Sequence, residues 1–248
     1  MTNYSLAPAI KQPSIIPYII QGNDIVPAVL KDIEHIVDRE FQGNKNLKVL
    51  KERNVNKTLI AVGSNTLVLP VVQRVFSNYR VGRPEDIQKT LNDGDTLSIK
   101  GNNYVDMGFA LDFTGRHHAM ALDFYNQLPP ELQKLESFPS VVIGYGLKNL
   151  ENTSYGLGFT YTPESTQVRP ASILSQKIGT FRNEDVSLET GLPSKIGEGT
   201  RTIFTSTQRE HSIDNLGISR FYLYGSLGVD ADIGNLACSV DVGRVVLF

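Results

Sequence analysis

Near residue 105 the spacing of apolar side chains changes from helical to strand-like, and that change limits the fold more than any other feature. Upstream, Val29, Leu30, Ile33, Ile36, Val37 and Phe41 recur every three or four residues, one stripe of an α-helix. Asp24 stands at an N-cap position, Pro27 suits a first turn and Gly43 is a natural stop, so the spacing predicts a helix over 25–41. Pro84–Leu91, 116–127 and Glu131–Glu136 read as shorter helices, and 44–56 as a basic, polar stretch with a further short one. Thr58–Val62 reads as a strand, whereas Leu67–Tyr79 fits either period.

Downstream, Val105, Met107, Phe109, Leu111 and Phe113 alternate with Asp106, Gly108, Ala110 and Asp112, the pattern of a half-buried strand. Val141, Ile143, Tyr145 and Leu147, then Tyr155, Leu157, Phe159 and Tyr161, repeat it against Gly144, Gly146, Gly156 and Gly158. They predict a hairpin with one bulky face and one glycine face, where another backbone packs close or a flat ligand lies. Further strands are expected at 168–176, 200–206, 217–225 and 239–248, with a long loop at 179–199. The expected class is α+β, with helices mainly in the N-terminal half and an antiparallel sheet or sandwich mainly from residues 95–248. Strands that do not alternate with helices argue against a doubly wound nucleotide fold.

Residues 1–22 read as an extended arm ahead of a single domain at 23–248, with any sub-boundary near 137–140. Pro8, Pro13 and Pro17 hold the arm extended, yet it carries Ile10, Ile15, Ile16, Tyr18 and Ile19. An apolar arm needs a surface to lie on. These five residues and Phe248, on an apolar final strand, are therefore the candidate interface residues, through addition to a neighbour's sheet edge.

Composition narrows the chemistry. With 248 residues the chain can bury a core without a metal or disulfide staple. One cysteine, Cys238, excludes an intramolecular disulfide and any cysteine-rich metal site built by this chain alone. A net charge of −2 argues against sequence-specific nucleic-acid binding. No apolar run is long enough for a membrane span, and no secretory signal is recognisable, so a cytoplasmic or virion location is expected.

Few residues carry recognisable chemistry. Asp112, His117, His118 and Asp123 form the densest group of potential metal ligands, at a strand end and the helix that follows. Adjacent histidines diverge by about 100° on a helix, so both rarely meet one ion. Asp230 and Asp232 could hold a cation, although Asp in turns is commoner. Ser206 or Ser212 with His211 and Asp214 makes a triad only on paper, and Gly197-Glu198-Gly199-Thr200 lacks the Lys of a phosphate loop. Tyr145, Tyr155, Phe159 and Tyr161 could stack a glycan, but a bulky strand face is more often core. The leading expectation is a structural or assembly protein without cofactor, acting through protein–protein contacts as a homo-oligomer or in a larger complex such as a virus or phage particle. The alternative is a divalent-metal-dependent hydrolase using Asp112, His117, His118 and Asp123.

Overall fold

The computed structural model describes residues 18–94, 103–225 and 227–248. Ile10, Ile15 and Ile16, and the residues where the sheet is expected to begin at 95, lie outside them. In chain order the described residues form β1 (Tyr18–Ile19), α1 (Ile25–Glu40), β2 (Lys51–Val55), β3 (Thr58–Val62), α2 (Leu69–Val75), α3 (Pro84–Asn92), β4 (Tyr104–Asp112) and α4 (His118–Tyr125). Then follow β5 (Ser140–Ile143), β6 (Gly146–Asn149), β7 (Leu157–Thr160), β8 (Gln167–Pro170), β9 (Gly179–Phe181), β10 (Arg201–Thr205), β11 (Gly217–Leu223), β12 (Val229–Ala231), β13 (Gly243–Arg244) and β14 (Val246–Leu247). The fold is α+β. No helix of the described residues is long and apolar enough to cross a membrane.

The main sheet runs β8-β5-β4-β11-β12-β10-β9, with β13 beside β4. It is mixed rather than antiparallel as expected. β12 folds back on β11 as a hairpin and so lies parallel to β10, and β13 runs parallel to β4.

β4 is the spine of this sheet, and it departs from its sequence pattern in one instructive way. All nine of its residues are buried, so the strand is covered on both faces rather than half-buried. A bulge opposite Phe221 and Tyr222 skips Met107: Gly108 pairs with Phe221, and Asp106 with Tyr222. A bulge inverts the facing of everything beyond it. Phe109, Leu111 and Phe113 therefore join the core under α1, α2 and α4, while Val105 and Met107 join a second core with Ile87 of α3, Phe181, Phe221 and Leu223. The same inversion places Asp106 opposite Tyr222, on the face of Arg220.

Other elements follow local chemistry. α1 buries Val26, Val29, Ile33, Ile36 and Val37. Residues 44–56 hold a 3-10 turn, Lys45–Leu47, and the exposed strand β2 rather than a short helix. β2 pairs with β3 through Asn56 and Lys57 at φ 51° and 68°, the left-handed pair a two-residue hairpin requires. Glu131–Glu136 resolves into 3-10 turns, not a helix. The expected strand 168–176 stops at Pro170 and continues as a 3-10 turn. The 179–199 segment contains β9.

The expected hairpin at 141–161 is also divided. Gly144 at φ 69° turns the chain, and a Cβ there would lie 2.2 Å from the Ser165 carbonyl oxygen. β5 therefore stays in the main sheet while β6 pairs only with β7. Gly156 sits in the connecting turn at φ 66°. The glycine face shrinks to Gly146 and Gly158, packed against Thr160 and Leu150.

The terminal strand is held on both edges. Tyr18 and Ile19 pair with Leu247 and Val246. On the other edge Arg80 and Phe248 exchange two backbone hydrogen bonds of 2.9 Å, and Gly82 N–H donates to Val246 O at 2.7 Å. Tyr18, Ile19 and Phe248, expected at an interface, thus spend their backbone groups on their own chain. The terminal strand completes a local ribbon instead of offering an open edge to a neighbour.

Candidate functional site

The four expected metal ligands each take separate structural partners. Asp112 is buried and accepts from Thr114 N at 3.0 Å, Thr114 Oγ1 at 2.6 Å and Ser219 Oγ at 2.6 Å. It closes the turn that ends β4. Burial raises its carboxyl above the usual range, against the lowering effect of those bonds. His117 caps α4 in a left-handed conformation at φ 51°, and its Nε2 contacts the Gly234 carbonyl. His118 Nδ1 lies 3.0 Å from Leu216 O. Asp123 pairs with Lys148 at 2.8 Å and accepts from Gln127 at 3.0 Å. Both histidines line a shallow depression of about 250 Å³ with Asn152, Thr153 and Ser154, but no carboxylate joins them there. Among the described residues no three His, Cys, Asp or Glu side chains converge on a metal position.

The remaining motifs also resolve into structure. Asp230 Oδ1 accepts from Asp232 N at 3.0 Å, and Tyr222 OH donates to Oδ2 at 2.7 Å. Burial pushes its carboxyl up to about 6. Ser206 Oγ accepts from Arg116 at 2.9 Å, while the His211 ring stacks on Phe113 at 4.2 Å. No triad forms from them. A Cβ at Gly199 would lie 1.9 Å from the Phe181 carbonyl oxygen, so that glycine serves backbone packing. Tyr145 and Phe159 are core side chains, with Tyr145 OH donating to Thr66 O at 2.9 Å. They form no exposed stacking platform.

A second concave feature lies between α2, the 80–83 segment and the β6–β7 hairpin. It is a cavity of about 470 Å³, within the range of small-ligand sites. Phe41, Leu69, Val71, Met107, Ile143 and Leu147 supply apolar walls, and Gln73, Arg74, Arg80, Arg83 and Thr162 supply polar groups. Gln73 fixes one rim: its Nε2 donates to Tyr79 O at 2.5 Å and its Oε1 accepts from Val81 N at 2.8 Å. The opposite rim bends away at Gly144, whose left-handed conformation separates β5 from β6.

The arginines at this mouth differ in how they are matched. Arg74 makes a two-pronged bond to Glu40 at 2.6 and 2.7 Å. Arg80 does the same to Asp86, one prong measuring 2.6 Å. Arg169, nearby, holds Glu85 at 2.7 and 2.8 Å. Glu85 and Asp86 open α3, where carboxylates suit the helix dipole. Arg83 immediately precedes that helix. It is half-buried and makes no side-chain hydrogen bond or ion pair among the described residues. Burial, then repulsion from Arg80, pulls its pKa down.

Sequence reading missed this site. Glu85 and Asp86 stand in the first turn of the helix expected at Pro84–Leu91, but their pairing with Arg169 and Arg80 leaves Arg83 without a direct ion pair among the described residues. Arg169 arrives from β8, far along the chain. Comparison with family models, curated proteins and solved structures finds no match to this chain.

Proposed function

We propose that the protein acts by non-covalent recognition and that the cavity between α2, residues 80–83 and the β6–β7 hairpin takes a small ligand. The observation that carries this reading is the construction of the cavity. Its volume of about 470 Å³, apolar walls and few polar rim groups, drawn from separate elements, match what ligand sites need: burial for affinity and sparse polar groups for orientation. Recognition rather than catalysis is also supported by the use of Asp112, His117, His118 and Asp123 as structural partners.

The test is a thermal-shift screen of a fragment library against the protein and a Leu147→Trp variant, which fills the cavity from its half-buried wall. Compounds should stabilise the parent and not the variant. Stabilisation of both to the same extent, or of neither, would overturn the reading.

A second reading is assembly in a larger protein complex, such as a virus or phage particle, with a cytoplasmic or virion location. It draws on Ile178 and Leu188, 56% and 51% exposed in the segment around β9. A partner docked on this segment would cover both aliphatic side chains, and contact requires that they belong to one contiguous apolar patch. Light scattering at high concentration checks it, including on a chain lacking residues 1–17 so that β1 stays intact. A monomer unchanged by concentration or truncation would remove it.

A further inference from the structure

We infer that the ligand of this cavity is a small aliphatic carboxylate whose head pairs with Arg83 and whose chain lies along the apolar walls. The inference rests on the reading of the cavity as a recognition site. It goes further by naming the ligand's chemistry from the charges at the mouth.

Those charges nearly cancel. Glu40 matches Arg74, Asp86 matches Arg80 and Glu85 matches Arg169, each through two hydrogen bonds. Arg83 makes no direct ion pair among the described residues; Glu85 and Asp86 attract it from a distance but spend their oxygens on Arg169 and Arg80. Glu164, which also lines the cavity, is solvent-exposed and makes no ion pair among the described residues. A half-buried guanidinium has lost part of its hydration and has five donors to satisfy. A carboxylate fits it with two parallel bonds, the planar match that guanidinium favours. Arg83 is the one cation lining the cavity without a direct ion pair among the described residues, and a single guanidinium suits a monoanion, because a phosphate dianion would bring an excess negative charge beside Glu85 and Asp86.

The rest of the cavity defines the body. Phe41, Leu69, Val71, Met107, Ile143 and Leu147 offer aliphatic and aromatic surface, so the ligand needs an apolar chain. The volume accommodates a small molecule rather than a folded partner.

Calorimetric titration of the full chain with octanoate, octanol, octylamine and inorganic phosphate tests the inference. Octanoate should bind one to one, roughly tenfold or more tighter than octanol, the fold-change expected of a charge-assisted hydrogen bond. Octylamine and phosphate should bind more weakly still. From hexanoate to octanoate the affinity should rise about fourfold per methylene buried. Arg83→Gln, checked for an unchanged circular dichroism spectrum, should reduce octanoate binding to the level of octanol. Equal binding of octanoate and octanol, or phosphate binding as tightly as octanoate, would overturn the carboxylate assignment while leaving the cavity as a ligand site. Octanoate binding unchanged in Arg83→Gln would overturn the role of Arg83. Failure of every probe, together with a fragment screen that does not distinguish Leu147→Trp, would remove both readings.

Discussion

Arg220 and Arg83 carry the same guanidinium in opposite states of compensation. Arg220 is buried, bonds Asp106 at 2.5 and 2.8 Å, and lies against the rings of Tyr104 and Tyr222 at 4.4 and 4.7 Å. Burial works against its charge, but Asp106 and Tyr104 more than restore it, so its pKa ends above the ordinary value. Removing one member of such a pair strands the other in the core. Asp106→Ala should therefore cost about 3–5 kcal/mol of stability, read from urea denaturation. Asp230 supplies a pH signature. It keeps its proton up to about pH 6 in the folded chain, against 3.8 for the ordinary carboxyl. The folded state binds the extra proton within that window, so this residue's contribution to stability falls as pH rises through it. Asp230→Asn should flatten the change in urea midpoint between about pH 4 and 6 relative to the parent. Glu40, held down to about 2 by hydrogen bonds from Arg74 and Arg39, acts in the opposite sense below 4.5. These roles were not legible from sequence. Asp112 and Asp123 resemble ligands in local context, and only partners such as Ser219 and Lys148, brought by distant strands, assign them to structure.

At the scale of elements, legibility followed the reach of the forces. α1 was readable because its stripe is local and repeats at the helical period. β2 was not, because a strand exposed at all five residues carries no apolar alternation. β4 was readable as a strand but not in its facing, since the bulge at Met107 is fixed by pairing with β11. Its neighbour β5 approaches closely at one point. A Cβ on Gly108 would lie 2.2 Å from the Val142 carbonyl oxygen, so Gly108→Ala should force β4 and β5 apart. The expected loss is about 1–3 kcal/mol, with faster amide hydrogen exchange at Val141 and Val142 as the local check. The cavity was hidden for a related reason. The apolar run through Tyr145 and Leu147 suggested one continuous hairpin, and the turn at Gly144 that opens the rim depends on the Ser165 backbone across from it.

For the whole molecule, two cores share one sheet, with α1, α2 and α4 over one face and α3 with the segment after β8 over the other. The expectation of an α+β chain survives at this scale, and the purely antiparallel sheet does not. Deleting Val246–Phe248 removes the partner of β1 and of residues 80–82 together. It should lower the thermal midpoint and loosen the Arg80–Arg83 rim, so that ligands stabilising the parent no longer stabilise the truncated chain. A calorimetric scan with and without such a ligand would check both effects.

The ribbon of β1, β14 and residues 80–82 also bears on the order of folding. Its strands come from near the start, the first half and the very end of the described sequence. Such closure spans most of the chain, and contacts of large sequence separation slow folding because loop entropy is lost before they form. During synthesis the helices and the β6–β7 hairpin emerge well before Val246, while the segment that carries Arg83 must wait for Val246 and Phe248 to be held by backbone hydrogen bonds. The cavity is therefore a late product of folding: a nascent chain stalled before Val246 would hold its walls without its completed mouth.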